Sequence, residues 1–212
     1  MRERGVTALG LICCLTFLGS GLTFAEPSYE LTARYILDVV KAFRTAYVLH
    51  VVEHTKESGL STREDWAGNA HALPLPAQFV KEAAGQVKSV EIGLISLTPV
   101  NPSNRPRTDA EVEALLQLEK DRSRGVVTFV DGNQFKAVSA DLALVRSCVD
   151  CHNAHPRASR RNFEQWDVMG GLVVRMNRDA QPPALQLPPE PQPRPGSPER
   201  IKPPTFDTPW LK

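Results

Sequence analysis

The segment from Ser147 to Pro156, SCVDCHNAHP, concentrates side chains that can do chemistry. Cys148, Cys151 and His152 form a Cys-x-x-Cys-His sequence, the pattern at which haem is attached in c-type cytochromes. Two thiols three residues apart on a helical turn can form thioethers with the two vinyl groups of one porphyrin, and the adjacent imidazole can bind the iron. The sequence therefore predicts one covalent haem c, attached at these cysteines with His152 as proximal ligand.

Other interpretations of the cysteine pair are less complete. A thioredoxin-like redox pair lies at a helix N-terminus after a strand, and the residues before Cys148 do not read that way. A zinc module is the stronger rival, because His50 and His54 lie one helical turn apart and complete a Cys2His2 set with the two cysteines. That alternative leaves His152 without a role. A Cys-x-x-Cys disulfide would close too small a loop to remove much chain entropy.

The first 25 residues have the layout of a secretory signal peptide. Arg2 and Arg4 precede an apolar run, and Thr23-Phe24-Ala25 offers a cleavage site between small residues. Cleavage would leave Cys148 and Cys151 as the cysteines of the mature chain. We expect a periplasmic protein with no stable membrane insertion after cleavage; an uncleaved membrane anchor is the alternative.

Length and composition limit the domains and partners. The 212 residues have room for one ordinary domain, which we place at residues 26–179. Residues 180–212 are rich in proline and cannot build a core, so they predict a disordered tail. A formal charge of +1 excludes a nucleic-acid partner recruited by bulk charge. We expect a redox or signalling protein as partner.

Periodic patterns predict an α+β domain. A long helix is expected between Ser28 and about Ser58, with an apolar stripe that recurs at three- and four-residue steps. The stripe comprises Ile36, Val40, Phe43, Tyr47, Val51 and His54. Further helices are expected over 77–86 and after a capping box of Thr108 and Glu111, and strands over 89–97, in a hairpin that turns at Asp131-Gly132, and over 170–176. This order favours a small antiparallel sheet with helices on one face.

The second axial position of the iron has several candidates. They are His50, His54, His71, His155, Met169 and Met176. His50 and His54 stand out, because two titratable rings on one mainly apolar helix face are costly to bury without a partner. We predict that one of them is the distal metal ligand, with His50 ahead of His54; open, five-coordinate iron is the alternative.

Four segments together resemble a family of exported PAS-like domains that carry one haem c. CVDCHNAHP with Trp166 and GGLVV resembles its C-terminal signature, HALPLPAQF and LISLTPVNPSNRP resemble its middle segments, and AYVLHVV resembles its first helix. The resemblance spans about Tyr29 to Arg178. It implies a PAS-like fold, in which a long N-terminal helix and a small antiparallel sheet cradle the haem. It also implies sensing or electron transfer, in proteins that stand alone or serve histidine kinases and cyclases.

The chain departs from that family at two points. One branch uses a cysteine as second iron ligand, and a mature chain with two cysteines favours His/His ligation or an open site instead. Asp167 follows Trp166 directly, a shorter spacing than in the family signature, which leaves the role of the family's aspartate unassigned here.

Taken together, the residues favour a periplasmic monohaem protein that senses redox state or a diatomic gas. A bis-His electron-transfer cytochrome is the alternative, and a Cys2His2 zinc module is the second alternative. We do not expect an enzyme, because no catalytic constellation can be placed in the sequence.

Overall fold

A long helix opens the described part of this computed structural model, which comprises residues 28–55 and 57–179. Helix α1 spans Tyr29–Tyr47 and begins at Ser28, whose side chain accepts a hydrogen bond from the Leu31 backbone N–H. A π-helical turn, Val48–Val52, and the short helix α2, Glu53–Thr55, continue it. The predicted signal peptide and proline-rich tail lie outside the described residues. Within the described ranges, no helix has the length and apolar character needed to cross a bilayer.

The face of α1 that meets the sheet differs from the predicted stripe. Its buried residues include Leu37, Arg44 and Val48, whereas Phe43 of the predicted stripe is 66% exposed. Ile36 and Val40 of the stripe do pack against the core, but Phe43 and His54 are exposed. The buried face is therefore displaced by one residue from the prediction in the second half of the helix. The π-helical turn adds a residue per turn, and the buried face then continues through Val52.

Four strands form the main sheet. Two short strands come first, β1 (Ser61–Arg63) and β2 (Ala72–Pro74), and they pair in parallel. The main sheet contains β3 (Glu91–Ile95), β4 (Val126–Asp131), β5 (Gln134–Leu142) and β6 (Val168–Asn177). Its order is β3-β6-β5-β4 and every pair is antiparallel. The predicted hairpin is confirmed as β4 and β5, with Gly132 at a φ of 58° in the turn.

Helices cover both faces of this sheet. The remaining α-helices are α3 (Pro76–Gln86), α4 (Asp109–Lys120) and α5 (Arg146–Ala154). Helices α1 and α3 pack on the face that carries Leu172 and Val174, and α4 packs on the face that carries Val173. The prediction of helices on one face was therefore wrong. Strand β6 is buried on both sides. Its nearly continuous apolar sequence, VMGGLVVRM, is typical of such a strand, whereas a half-exposed strand would alternate apolar and polar residues.

The two ends of the described domain are tied together. The Tyr29 hydroxyl, at the start of α1, donates a 2.7 Å hydrogen bond to the carbonyl oxygen of Arg178, just after β6. The Tyr29 ring also stacks on Phe135 of β5, with ring centroids 5.9 Å apart. The beginning of α1 is thus fixed against the end of the last strand.

A buried ion cluster holds α4 to the sheet. The Glu111 carboxylate accepts hydrogen bonds from Arg175 Nε (2.8 Å) and Lys136 Nζ (2.9 Å), and all three residues are at most 3% exposed. Thr108 accepts from the Glu111 backbone N–H, as in the predicted capping box, but the carboxylate turns to the Arg107 backbone N–H instead. Burial alone would raise the pKa of Glu111, but these donors outweigh burial and lower the pKa to about 2.

We predict that Glu111→Gln lowers the free energy of unfolding by about 3 kcal/mol at pH 7, because it leaves buried cations without a full counter-charge. The pKa of Glu111 is lower in the folded protein than in the unfolded chain. The ionised carboxylate therefore contributes its full stabilisation of the folded state above the unfolded pKa of 4.5, and this contribution falls as the pH falls toward 2. Urea denaturation between pH 7 and pH 2.5 should therefore show the two proteins converging. Glu119→Gln, at an exposed position of α4, is the control and should change stability by less than about 0.5 kcal/mol. A constant difference across this pH range would contradict the assignment.

Candidate functional site

A cavity of about 560 Å³ lies between the end of α1, strand β3 and helix α5. Its size is within the range of cofactor sites. Its apolar lining includes Val48, Val52, Ile95 and Met169. Cys148, Cys151 and His152 border the same cavity, so the structure brings together the three residues that the sequence predicts as the attachment site.

Helix α5 presents both thiols on one side, one turn apart. Cys148 is partly buried and Cys151 is exposed, and both are free thiols. Burial first, and then the charges of Cys148 and Glu64, raise the pKa of the Cys151 thiol. The Cys151 thiol is therefore protonated near neutral pH, and both sulfur-bearing side chains border the cavity.

His152 is held as a neutral imidazole at the cavity. Its ring meets the edge of Phe163, with centroids 5.9 Å apart and planes at 89°. Burial, followed by the charges of Arg44 and His155, lowers the pKa of His152 to about 4. At neutral pH the ring carries no positive charge and keeps a nitrogen lone pair, which a metal ligand requires.

The loop after α5 is locked to the helix by one amide. The Asn153 side chain donates to the Phe163 carbonyl oxygen and accepts from the Phe163 backbone N–H, both at 3.0 Å. Because Phe163 packs against His152, these bonds fix the ring that flanks the imidazole. Sequence reasoning missed Asn153, although a polar amide directly after His152 was the available signal.

A buried ion pair forms part of the cavity wall. Arg44 Nη1 lies 2.8 Å from Asp141 Oδ1, and the two side chains are 11% and 13% exposed. Burial raises the pKa of Asp141, while the charges of Arg44 and Lys41 oppose that rise. Both members of the pair border the cavity, and neither was singled out from the sequence.

The structure places the predicted distal ligands in three different surroundings. Met169 and His155 border the cavity, and His155 Nδ1 accepts a 3.1 Å hydrogen bond from the Arg157 backbone N–H. Met176 is buried in the core between the sheet and α1. His50, His54 and His71 are exposed and do not border the cavity.

The structure does not assemble the Cys2His2 set. His50 and His54 lie on the exposed side of the helix, away from the face that carries Val48 and Val52. Within residues 28–55 and 57–179, no group of three or more His, Cys, Asp or Glu side chains is arranged to hold a metal ion. The described arrangement therefore does not bring together the four residues of the zinc alternative.

Asp167 stabilises the loop rather than the cavity. Its Oδ2 accepts hydrogen bonds from Arg160 Nη2 and the Glu164 backbone N–H, both at 3.0 Å. The preceding Trp166 has a φ of 73°, which is uncommon for a bulky residue. Asp167 does not border the cavity, and its role here is to close the turn that leads into β6.

Comparison with known proteins places the chain in a family. The sequence model of the Tll0287-like family matches residues 23–177. The chain belongs to the Tll0287-like family. Among solved structures, the crystal structure of the cyanobacterial haem protein Tll0287 is similar, with a TM-score of 0.47 and 17% identity, over 70% of this chain and 98% of that chain. No curated protein matches the chain significantly.

We predict that Asn153→Ala destabilises the loop between α5 and β6 by about 2 kcal/mol, since two partly buried hydrogen bonds are lost. The expected result is faster hydrogen exchange at the Phe163 backbone N–H, measured by NMR or by mass spectrometry of the 155–167 segment. Asn162→Ala is the matched control, because Asn162 is exposed and accepts one surface hydrogen bond from Arg160. Equal exchange rates in the two variants would contradict a locking role for Asn153.

Proposed function

We propose that this protein is a periplasmic monohaem c-type protein that senses redox state or a small diatomic ligand. The observation that carries the proposal is the position of Cys148, Cys151 and His152 on one wall of a cofactor-sized cavity. Membership of the Tll0287-like family supports it, since the similar solved structure Tll0287 is a haem protein.

The residues present fit a covalent haem. Cys148 and Cys151 are free thiols one helical turn apart and would hold the porphyrin by thioethers. His152 is neutral and braced by Phe163, so it would hold the iron. Bound there, a haem would supply an iron centre that changes oxidation state and binds diatomic ligands. The apolar side chains around the cavity would limit the access of water to it.

A labile second axial ligand would favour sensing over electron transfer, because a small ligand can displace it. We retain His50 as the proposed distal ligand. It lies in the middle of the π-helical turn Val48–Val52, and such turns frequently occur at functional sites. Since the ring is exposed in the described arrangement, its binding would require this turn to rotate toward the cavity. A ligand that depends on such a rearrangement is easily released.

The first test is the optical spectrum of the exported, purified protein. We expect a haem c spectrum whose pyridine haemochrome shows two thioether links, and loss of stable holoprotein in His152→Ala. His71→Ala is the matched control, because His71 is exposed and away from the cavity, and it should retain a native spectrum. Colourless protein, purified after export from cells that contain the haem-attachment machinery, would refute the proposal.

The second test separates the axial ligands. We expect His50→Ala to shift the haem to high spin and to speed carbon monoxide binding to the reduced protein. His54→Ala should leave both properties unchanged, because His54 lies outside the π-helical turn. Unchanged low-spin spectra in both variants would remove both histidines as ligands. Inert six-coordinate haem in both oxidation states of the wild type would instead favour the electron-transfer alternative.

A further inference from the structure

The side of α1 that points away from the sheet is apolar along most of its length. Within the fully described segment 31–49, eight residues are exposed to solvent, and Asp38 is the charged one among them. Tyr35, Val39 and Phe43 are 61%, 54% and 66% exposed. We call this side the outer face of α1; it comprises those three residues together with Leu31, Ala42, Ala46 and Leu49.

The outer face is a continuous surface, because its residues recur at three- and four-residue steps and are therefore neighbours on the helix. The opposite side of α1 carries Leu37, which is buried against the sheet. Helix α1 is thus apolar on two opposite sides. A helix that is apolar all round is normally buried, and the sheet covers one side of it, so the outer face indicates a further contact.

The size of the outer face suits an interface between two protein chains. Its seven side chains present on the order of 500 Å² of apolar surface, which is near the upper end for the largest patch of a monomer. A standard interface buries about 800 Å² per partner, and about two thirds of a homodimer interface is apolar. The outer face therefore supplies the apolar share of such an interface.

Charge favours a second copy of the chain as the partner. The formal charge of +1 means that two copies repel each other little. Asp38 lies at one edge of the outer face, and the cations Arg34 and Lys41 lie four residues before it and three residues after it, at the same edge. Antiparallel pairing of two α1 helices brings these edges together, so Asp38 of each copy meets cations of the other. Parallel pairing would place Asp38 against the edge that carries Phe43.

Side-chain size favours the same arrangement. Ala42 and Ala46 leave a depression in the second half of the outer face, whereas Tyr35 and Val39 project from the first half. Antiparallel copies place the large residues of one helix over the small residues of the other, as ridges pack into grooves. The outer face is therefore complementary to itself in shape as well as in charge.

We propose that the protein forms a two-fold symmetric dimer in which the outer faces of two α1 helices pack antiparallel. The proposal does not depend on what occupies the cavity, because the outer-face residues do not border it. Arg44, which does border the cavity, lies on the opposite side of the same helix. The interface and the cavity wall are thus formed by two sides of α1.

The first experiment measures the oligomeric state of the full, exported protein by sedimentation velocity at several micromolar concentrations. We expect a dimer for the wild type. Val39→Glu should raise the dissociation constant by at least about 30-fold, because each dimer would then bury two carboxylates. Val130→Glu is the matched control, because Val130 on β4 is also 54% exposed, and it should change the dissociation constant by less than about threefold. Thermal unfolding of both variants checks that the fold is retained.

The second experiment tests the direction of the two helices by disulfide cross-linking. Ala42→Cys, near the middle of the outer face, should form an inter-chain disulfide under mild oxidation. Leu31→Cys should not, because antiparallel packing separates the two copies of residue 31 by on the order of 30 Å. Wild-type protein treated in the same way controls for Cys148 and Cys151. Cross-linking through Leu31→Cys would overturn the antiparallel arrangement.

A monomeric wild type would overturn the proposal. A dimer that Val39→Glu leaves intact would do the same, because its interface would then lie elsewhere. A wild type that dimerises only after deletion of residues 180–212 would assign the outer face to the chain's own C-terminal segment instead. None of these outcomes involves haem, so each of them leaves the proposed function intact.

Discussion

The ion pair between Arg44 and Asp141 determines which face of α1 meets the sheet. Because the guanidinium is buried against β5, Leu37, two turns before it, and Val48, one turn after it, are buried with it. Neighbours such as Phe43 are turned outward. The wall of the cavity above Cys148 and His152 is therefore set by a polar contact rather than by an apolar stripe. An isolated buried charge is too costly to persist, so this register depends on Asp141.

Charge is buried on both sides of the same sheet. On the α4 side, Glu111 lies between Arg175 and Lys136, and Glu91 and Asp131 supply further negative charge. On the α1 side, Asp141 neutralises Arg44. Two helices that pack on opposite faces are thus each fixed by a directional contact, in addition to apolar packing that tolerates small displacements. The site benefits, because the position of α1 relative to α5 decides which side chains face the thiols.

The sequence predicted most elements and part of the site. The hairpin, helix α3 and the last strand are confirmed, since their signals are local: the turn glycine Gly132, a proline at the start of a helix and an apolar run. Cys148, Cys151 and His152 were singled out from their spacing, which is also a local signal. The structure places them at one cavity, and their role as attachment residues stays a prediction. The helix layers, the α1 face and the contacts of Asn153 and Arg44 depend on residues far apart in the chain. No periodicity within one segment encodes those pairings.

The hydrogen bond from Tyr29 to the Arg178 carbonyl oxygen places the first and last residues of the described domain, its two chain exits, next to each other. A unit whose exits adjoin can be spliced into a surface loop of another protein without stretching either connection. Alternatively, segments fused to the two exits would emerge side by side and be held within reach of each other.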